Sequence, residues 1–433
     1  MHSEDFDINL ENLSKIEGHT DLEIKVRNRK AVEIKLKITE NKRFYTQGVR
    51  GKDARSVPNL VSRICGTCSV AHLTCCTEAV ENGFGIVPSN QTRILRRLTY
   101  NGLMIRDHAM HLYLFVMPDL FGKDSILEFD ENNEVEHSLV HDAFDVKRAG
   151  NDLCTAVAGR AVHAIFLAVG SFVKLPAAEE LKKVREELLA VRPKVLKLID
   201  VFHKCDFLFN RNTRFVALAN DPFSFLDGEI MSSTGVCIPE NLFFEHLQRV
   251  VIPYSQATGY EFEGKDYMVG SLARLNLSKK SLHRYTKKDA AKYLKVFPSN
   301  NVYANNLAQA IETLHCIDES VELIDSTVFK EEPRVPVVPR EGTGIGVVEA
   351  PRGTLYYRLD LSKEGLVKFA NLVIPSAQNQ INMENDVKTL VNDGLEDGMS
   401  KEQIQHEIEK LVRAYDPCMS CASHFLKFKW KKT

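Results

Sequence analysis

Two Cys-x-x-Cys pairs, "CGTC" at 65–68 and "CMSC" at 418–421, stand 350 positions apart, Cys68 to Cys418, in a chain of 433 residues. Two residues between cysteines let both thiolates turn toward one ion, which is why the spacing recurs in metal and redox sites. Zinc ribbons and fingers place their pairs about 15–20 residues apart, because the metal there substitutes for a small core. A chain of this length buries a core without such a staple. The wide separation therefore predicts a metal at the heart of a finished fold, held by the first and last segments. Spacing alone leaves zinc and a redox metal open. The ten cysteines (65, 68, 75, 76, 154, 205, 237, 316, 418, 421) are sparse for a disulfide framework and read as metal ligands plus buried thiols.

A hydrophobic share of 44% with 26% charged residues is ordinary for a soluble globular protein and excludes disorder. The net charge of −2 argues against nucleic acid or an acidic membrane surface as partner. No run of about 18 apolar residues offers a membrane span. The start "MHSEDFDINLENL" is acidic where a secretory signal would be basic and then apolar. Both features predict a cytoplasmic chain, or one exported only on a partner's signal.

Residues 21–26 and 31–38 alternate apolar and polar, with Val32, Ile34, Leu36 and Ile38 on one face, and read as a β-hairpin covering something else. Ser89 or Asn90 caps a buried helix bearing Ile94, Leu98, Ile105 and Leu112. Leu181, Val184, Leu188, Val191, Val195 and Leu198 form a second helical stripe, which Pro193 should kink or divide. Ser400 and Gln403 form a capping box for a third helix, which Asp416-Pro417 should end, leaving Cys418 and Cys421 on a turn. The Pro- and Gly-rich stretch 331–361 reads as loops and short strands. With no repeat and no linker, the pattern predicts a mainly α fold with small β attachments (α+β). A large helical-bundle core makes one domain over 1–433, with 1–60 as a β-containing segment and 425–433 as a tail.

The residues around the cysteines add a resemblance. "RICGTCSVAHLTCCTEAVENGFGI" (63–86) and "DPCMSCASH" (416–424) resemble the amino- and carboxy-terminal metal motifs of nickel-iron hydrogenase large subunits. "KIEGH" (15–19), "GRAVH" (159–163), "EAPRGTL" (349–355) and "IPSAQN" (374–379) are further landmarks in that family's order, so the resemblance covers nearly the whole chain.

The resemblance implies that Cys65 and Cys418 are terminal nickel ligands, while Cys68 and Cys421 bridge to an iron carrying carbon monoxide and cyanide. Soft thiolates suit such metals. It implies that Arg352 overhangs the open metal position as a base or polarising cation, held by Asp107 and Asp416. Glu17 matches the proton-relay carboxylate. Alone it would read as a surface residue, but desolvation beside a thiolate would raise its pKa toward neutrality. His72 resembles the histidine donating to a bridging sulfur. His111, four residues after Asp107, reads as a buried hydrogen-bonding group rather than a ligand. Pro351 and Ser376 match the pocket around the iron's diatomic ligands, with Ser376 donating to a cyanide.

Some positions depart from the pattern. The family's magnesium site pairs a glutamate with the histidine matched by His424. Counting back without a gap puts Thr46 at the glutamate position, a weaker ligand. Ala164 and Ser171 stand where proline and glycine are common. Cys75 and Cys76 are extra thiols best read as packing. The tail "FLKFKWKKT" after His424 is either removed on maturation or kept as a partner contact.

These features lead to the catalytic subunit of a hydrogenase. The remaining cysteines are scattered, so no iron-sulfur cluster is expected in this chain. Electrons would leave through an iron-sulfur small subunit, and then through further acceptor subunits. A maturation protease and a nickel chaperone are implied partners. "AGRAVH" followed by "VGSF" looks closest to cytoplasmic, cofactor-reducing members. The alternatives are a hydrogen-sensing or structural-metal homologue, and a complex-I-like subunit, from which the four cysteines argue away.

Overall fold

The alternation in residues 20–38 yields strands β2 (Thr20–Arg27) and β3 (Lys30–Ile38), and β1 (Phe6–Leu10) adds to β2, making a three-stranded antiparallel meander where a hairpin was expected. Leu22, Ile24, Leu36 and Ile38 are buried, but Val32 is 56% exposed. Lys25 faces Glu33 and Val26 faces Ala31, so the ladder skips Val32. This bulge ejects its side chain and turns Ala31 inward. The structure is a computed structural model that describes residues 5–40 and 44–423.

Helix α1 (Ser69–Phe84) starts directly after Cys68, and α2 (Asn90–Ala109) is capped by Ser89, whose hydroxyl accepts from the Thr92 amide. Beyond Ala109 the chain widens into π-helical turns over Met110–Val116, so His111 leaves the regular α spacing expected for it. Helix α3 (Glu134–Ala158) crosses α2 backbone to backbone. A Cβ on Gly150 would lie 2.7 Å from the Arg106 amide nitrogen, and one on Gly102 would lie 2.9 Å from the Gly150 oxygen. Helix α4 (Ala178–His203) buries its whole predicted stripe. It runs through Pro193 as one element, so of the kink or division expected there the division does not occur. The lost bond would have gone to the carbonyl of Leu189, a residue on the exposed side, where water can replace it.

The stretch expected as loops and short strands contains two nine-residue strands, β4 (Gly342–Ala350) and β5 (Gly353–Leu361), and β6 (Val367–Val373) completes an antiparallel meander. Ala350 pairs with Gly353, which leaves Pro351 and Arg352 at the hairpin tip. Strand β4 lies directly under α1. A Cβ on Gly346 would come within 2.2 Å of the Cys75 carbonyl oxygen. Gly346→Ala should therefore cost at least the roughly 1–3 kcal/mol typical of overpacking. By displacing α1 it should also lower nickel content; denaturant midpoints and metal analysis check both.

Helix α5 (Ser271–Ser278), α6 (Ala304–Ser326), α7 (Pro375–Glu396) and α8 (Lys401–Ala414) complete the helical part that matters for the site. The capping box forms, with Gln403 N donating to Ser400 Oγ and Ser400 N to Gln403 Oε1. Nearly all the buried apolar side chains of the described residues make one continuous cluster, and the four motif cysteines belong to it.

Helix α7 is tied to β3 by Glu384, which accepts from the Leu36 amide at 3.1 Å and from the Tyr254 hydroxyl at 2.8 Å. Burial pushes this carboxyl up to about 7. The folded chain thus keeps a proton that the unfolded chain releases at the usual value of about pH 4.3. The stability it contributes is complete below that pH and is lost as pH rises through about 7. Glu384→Gln should flatten the fall in denaturation midpoint between these limits.

Candidate metal centre

The first and last segments meet at Glu17 and Cys418, which form a parallel bridge, with Met419 N donating to Glu17 O at 2.8 Å. Gly18 has φ +84°, and a Cβ there would lie 2.7 Å from the Ser420 nitrogen, so the approach needs glycine. Arg413 of α8 grips Asp119 with two bonds of 2.7 and 2.9 Å, and Lys15 reaches the same carboxylate at 2.7 Å. Helix α8 ends before Asp416, as expected, and Asp416 adopts φ +51°, a left-handed value that aspartate tolerates. The expected turn is more ordered than supposed: Cys418 caps helix α9 (Met419–Ala422), and Cys421 lies within it.

These contacts bring all four motif sulfurs within 4.8 Å of one another, each in a buried residue. Cys65 and Cys418 are 3.6 Å apart, Cys68 and Cys421 3.1 Å, and Cys418 and Cys421 2.9 Å. A shared centre about 2.3 Å from each sulfur permits such separations. The neighbouring Cys418, Cys421 and Cys68 thiols lower the Cys65 pKa, while burial pushes the Cys418 and Cys421 thiols up. A bound cation would reverse that burial cost by displacing the protons.

Arg352 stands over this cluster. Its Nη1 donates to Asp107 Oδ2 at 3.1 Å, and its Nη2 lies 3.0 Å from Asp416 Oδ1, close as an ion pair but out of line for a hydrogen bond. Burial acts against its charge, and the Asp107 and Asp416 carboxylates outweigh burial and hold the guanidinium protonated. Its Nε and Nη2 have no hydrogen-bond partner although the residue is 4% exposed. Asp416 also accepts from Gln309 Nε2 at 2.9 Å. His111 bonds Gln309 at 2.6 Å through Nδ1 and donates from Nε2 to the Arg413 carbonyl at 2.8 Å.

His72 Nε2 lies 3.5 Å from Cys421 Sγ, and its Nδ1 lies 2.8 Å from the Tyr357 hydroxyl. If the hydroxyl donates, Nε2 carries the proton toward sulfur. Glu17 receives the Cys418 thiol at 2.9 Å and faces Cys65 at 3.7 Å. Burial and then the Cys65 thiolate raise its pKa. Ser376 Oγ accepts from the Cys418 amide at 2.7 Å and lines, with Pro351, Arg352, His72, Cys68, Cys418 and Cys421, a small cavity beside the sulfurs. A guanidinium with two donors left without hydrogen bonds, above four converging sulfurs and a largely apolar cavity, suits a thiolate-bound metal group with anionic ligands.

His424 and the tail lie outside the described residues. Thr46 sits in the short helix Tyr45–Gly48 and is half-buried. Nearby residues were missed from sequence. Thr67 Oγ1 is 2.9 Å from Cys65 Sγ, a contact its place inside "CGTC" could have suggested. Glu40, buried, accepts from His19 N at 3.2 Å and from Ser420 Oγ at 3.5 Å. Tyr357 and Gln309 come from distant segments without a local signal. Cys75 donates to the Gly346 and Leu355 carbonyls, and burial pushes it and Cys76 up, as suits packing thiols.

A family model described as nickel-dependent hydrogenase matches residues 46–201 and 246–424. Sulfhydrogenase 1 subunit alpha of Pyrococcus furiosus is 30% identical over 97% of this chain and 98% of its own length. The NAD-reducing hydrogenase HoxS subunit beta of Cupriavidus necator is 27% identical over 96% and 94%. A crystal structure of an NAD+-reducing [NiFe]-hydrogenase in the H2-reduced state shares the fold, with a TM-score of 0.86 at 23% identity over 97% of this chain and 99% of that one. With four buried cysteines converging where the two end motifs meet, the chain belongs to the nickel-dependent hydrogenase family.

Proposed function

We propose that this chain is the catalytic subunit of a nickel-iron hydrogenase, interconverting hydrogen with protons and electrons. The observation that carries the reading is the set of four buried sulfurs within 4.8 Å of one another, beneath an arginine with unpartnered donors. Cys65, Cys68, Cys418 and Cys421 would hold the nickel, together with an iron bearing carbon monoxide and cyanide. When bound, the pair supplies the Lewis-acidic and redox chemistry that splits hydrogen.

The chain's own groups would do the rest. Arg352 aims a fixed positive charge at the cavity, where a low-dielectric setting strengthens it. Asp107 and Asp416 hold its plane. His72 donates to the Cys421 sulfur and draws off part of its charge. Pro351 and neighbouring apolar side chains exclude water, and Ser376 offers its hydroxyl proton to a cyanide nitrogen. Glu17, in contact with Cys418, takes the proton from the terminal sulfur and passes it outward. Glu17→Gln keeps the size and one acceptor oxygen for the Cys418 and Ser420 contacts but cannot ionise. It should lower turnover by about a hundredfold or more, with nickel content unchanged.

Electrons would leave through an iron-sulfur small subunit toward further subunits that reduce a soluble carrier such as a nicotinamide. The similarity to a relative named as NAD-reducing supports that acceptor class. A nickel chaperone and a maturation protease acting near His424 would complete the set. His424 would hold a magnesium ion, with Thr46 as a weaker partner than a carboxylate. Hydrogen-dependent reduction of a viologen dye by the native complex tests the activity. A nickel-loaded complex that leaves the dye oxidised under hydrogen would refute it.

A further inference from the structure

Arg352 has one well-aligned hydrogen bond, to Asp107, and one out-of-line ion pair, to Asp416, while its Nε bonds nothing, so the backbone that carries it must also fix its place. A second arginine behind it has the opposite character. Arg274, in α5, is wholly buried and uses every donor. Nε and Nη2 grip both oxygens of Glu312 at 2.7 Å, Nη1 donates to Glu349 at 2.8 Å, and Nη2 also reaches Ser271 Oγ at 2.8 Å. The same guanidinium donates to the Ala350 and Pro351 carbonyls, both at 3.1 Å. Those two peptides form the hairpin tip from which Arg352 projects.

The grip extends to the other side of Arg352. Glu312 of α6 also bonds His108 Nε2 at 3.0 Å and accepts from the Ser271 hydroxyl at 2.7 Å. Burial opposes its charge, but Arg274 prevails and holds the carboxyl down at about 2, so it stays ionised. His108 is the neighbour of Asp107, the carboxylate that Arg352 grips. The contacts close a ring: hairpin tip, Arg274, Glu312, His108, Asp107, Arg352 and back to the tip. Close packing reinforces it, since a Cβ on Gly353, at φ +127°, would lie 2.5 Å from Val269 Cγ2 and 2.9 Å from the Gly270 nitrogen. Glu349 is set from the other flank by the Leu218 amide at 2.7 Å and the Thr354 hydroxyl at 2.6 Å.

We propose that Arg274 is a positioning residue for hydrogen activation. It fixes the hairpin tip and, through Glu312 and His108, the helical turn bearing Asp107, and so sets where Arg352 points. The inference rests on the hydrogenase reading above. Lysine cannot replace it, because one ammonium with three donors cannot span two carboxylates and two carbonyls. Glutamine at 312 is a milder break: it keeps the volume but offers a single acceptor oxygen to the fork.

The test uses the native complex purified anaerobically, with Arg274→Lys and Glu312→Gln, each alone and combined with Arg352→Lys. Either single variant should retain nickel, shift the infrared bands of the iron's diatomic ligands, and oxidise hydrogen about ten- to a hundredfold more slowly. In the Arg352→Lys background the same change should cost less than about threefold, because residues acting through one another are not additive. Equal losses in both backgrounds, or wild-type rates and bands in Glu312→Gln, would overturn the proposal. The Glu312 variant decides the matter if Arg274→Lys fails to fold. Wild-type protein lacking both the bands and hydrogen oxidation would instead remove the hydrogenase reading itself.

Discussion

Cys418→Ser is expected to abolish nickel retention and, with it, all hydrogen-dependent activity. Cys418 lies 2.9 Å from both Cys421 Sγ and Glu17 Oε2, and it is the point where the carboxy-terminal segment closes on the amino-terminal one. A serine hydroxyl is a hard donor that stays protonated where a thiol yields to a soft metal. One ligand lost from four leaves an incomplete set that the remaining sulfurs cannot repair, since they are fixed in the core. Cys75→Ser is the matched control. That thiol donates to the Gly346 and Leu355 carbonyls at 3.2 and 3.4 Å, bonds a hydroxyl can keep. Metal analysis of the two purified variants should find nickel in the second alone.

Arg352→Lys is expected to keep nickel but slow hydrogen oxidation by about a hundred- to a thousandfold, the usual loss when a fixed charge-stabilising donor is removed from an enclosed site. The planar fork spans Asp107 and Asp416 while leaving Nη2 without a hydrogen-bond partner above the cavity. An ammonium is a single point: it can satisfy one carboxylate and hover near the other, but it cannot keep the same geometry toward the metals. Nickel content and rate, measured on the same preparation, separate loss of the site from loss of its chemistry. An undiminished rate would remove Arg352 from the mechanism.

What the sequence revealed most directly was written in neighbouring residues. The Ser89 cap, the Ser400–Gln403 box and the stripe from Leu181 to Leu198 each depend on side chains within a few positions of one another. The structure carries them as expected. The two cysteine pairs were legible because their spacing is itself a local signal, and their wide separation pointed to closure by the two ends.

Other features depend on contacts that no local pattern encodes. The bulge at Val32 comes from strand register, and one slipped residue reverses which face a side chain takes. Strands β4 and β5 lack clean alternation because much of both faces is buried, and the glycines that suggested loops are there to admit α1. Pro193 survives within a helix because the carbonyl it leaves lies toward solvent. Gln309, Tyr357 and Arg274 are set by packing between elements more than 30 residues apart in sequence, so only the assembled core reveals them.

The central claim is that the four cysteines hold a nickel-iron pair with diatomic ligands. An infrared spectrum of the anaerobically purified native complex tests it most directly. The account predicts metal-bound carbonyl and cyanide stretches that disappear in Cys418→Ser. A nickel-loaded, intact preparation showing no such bands would contradict it.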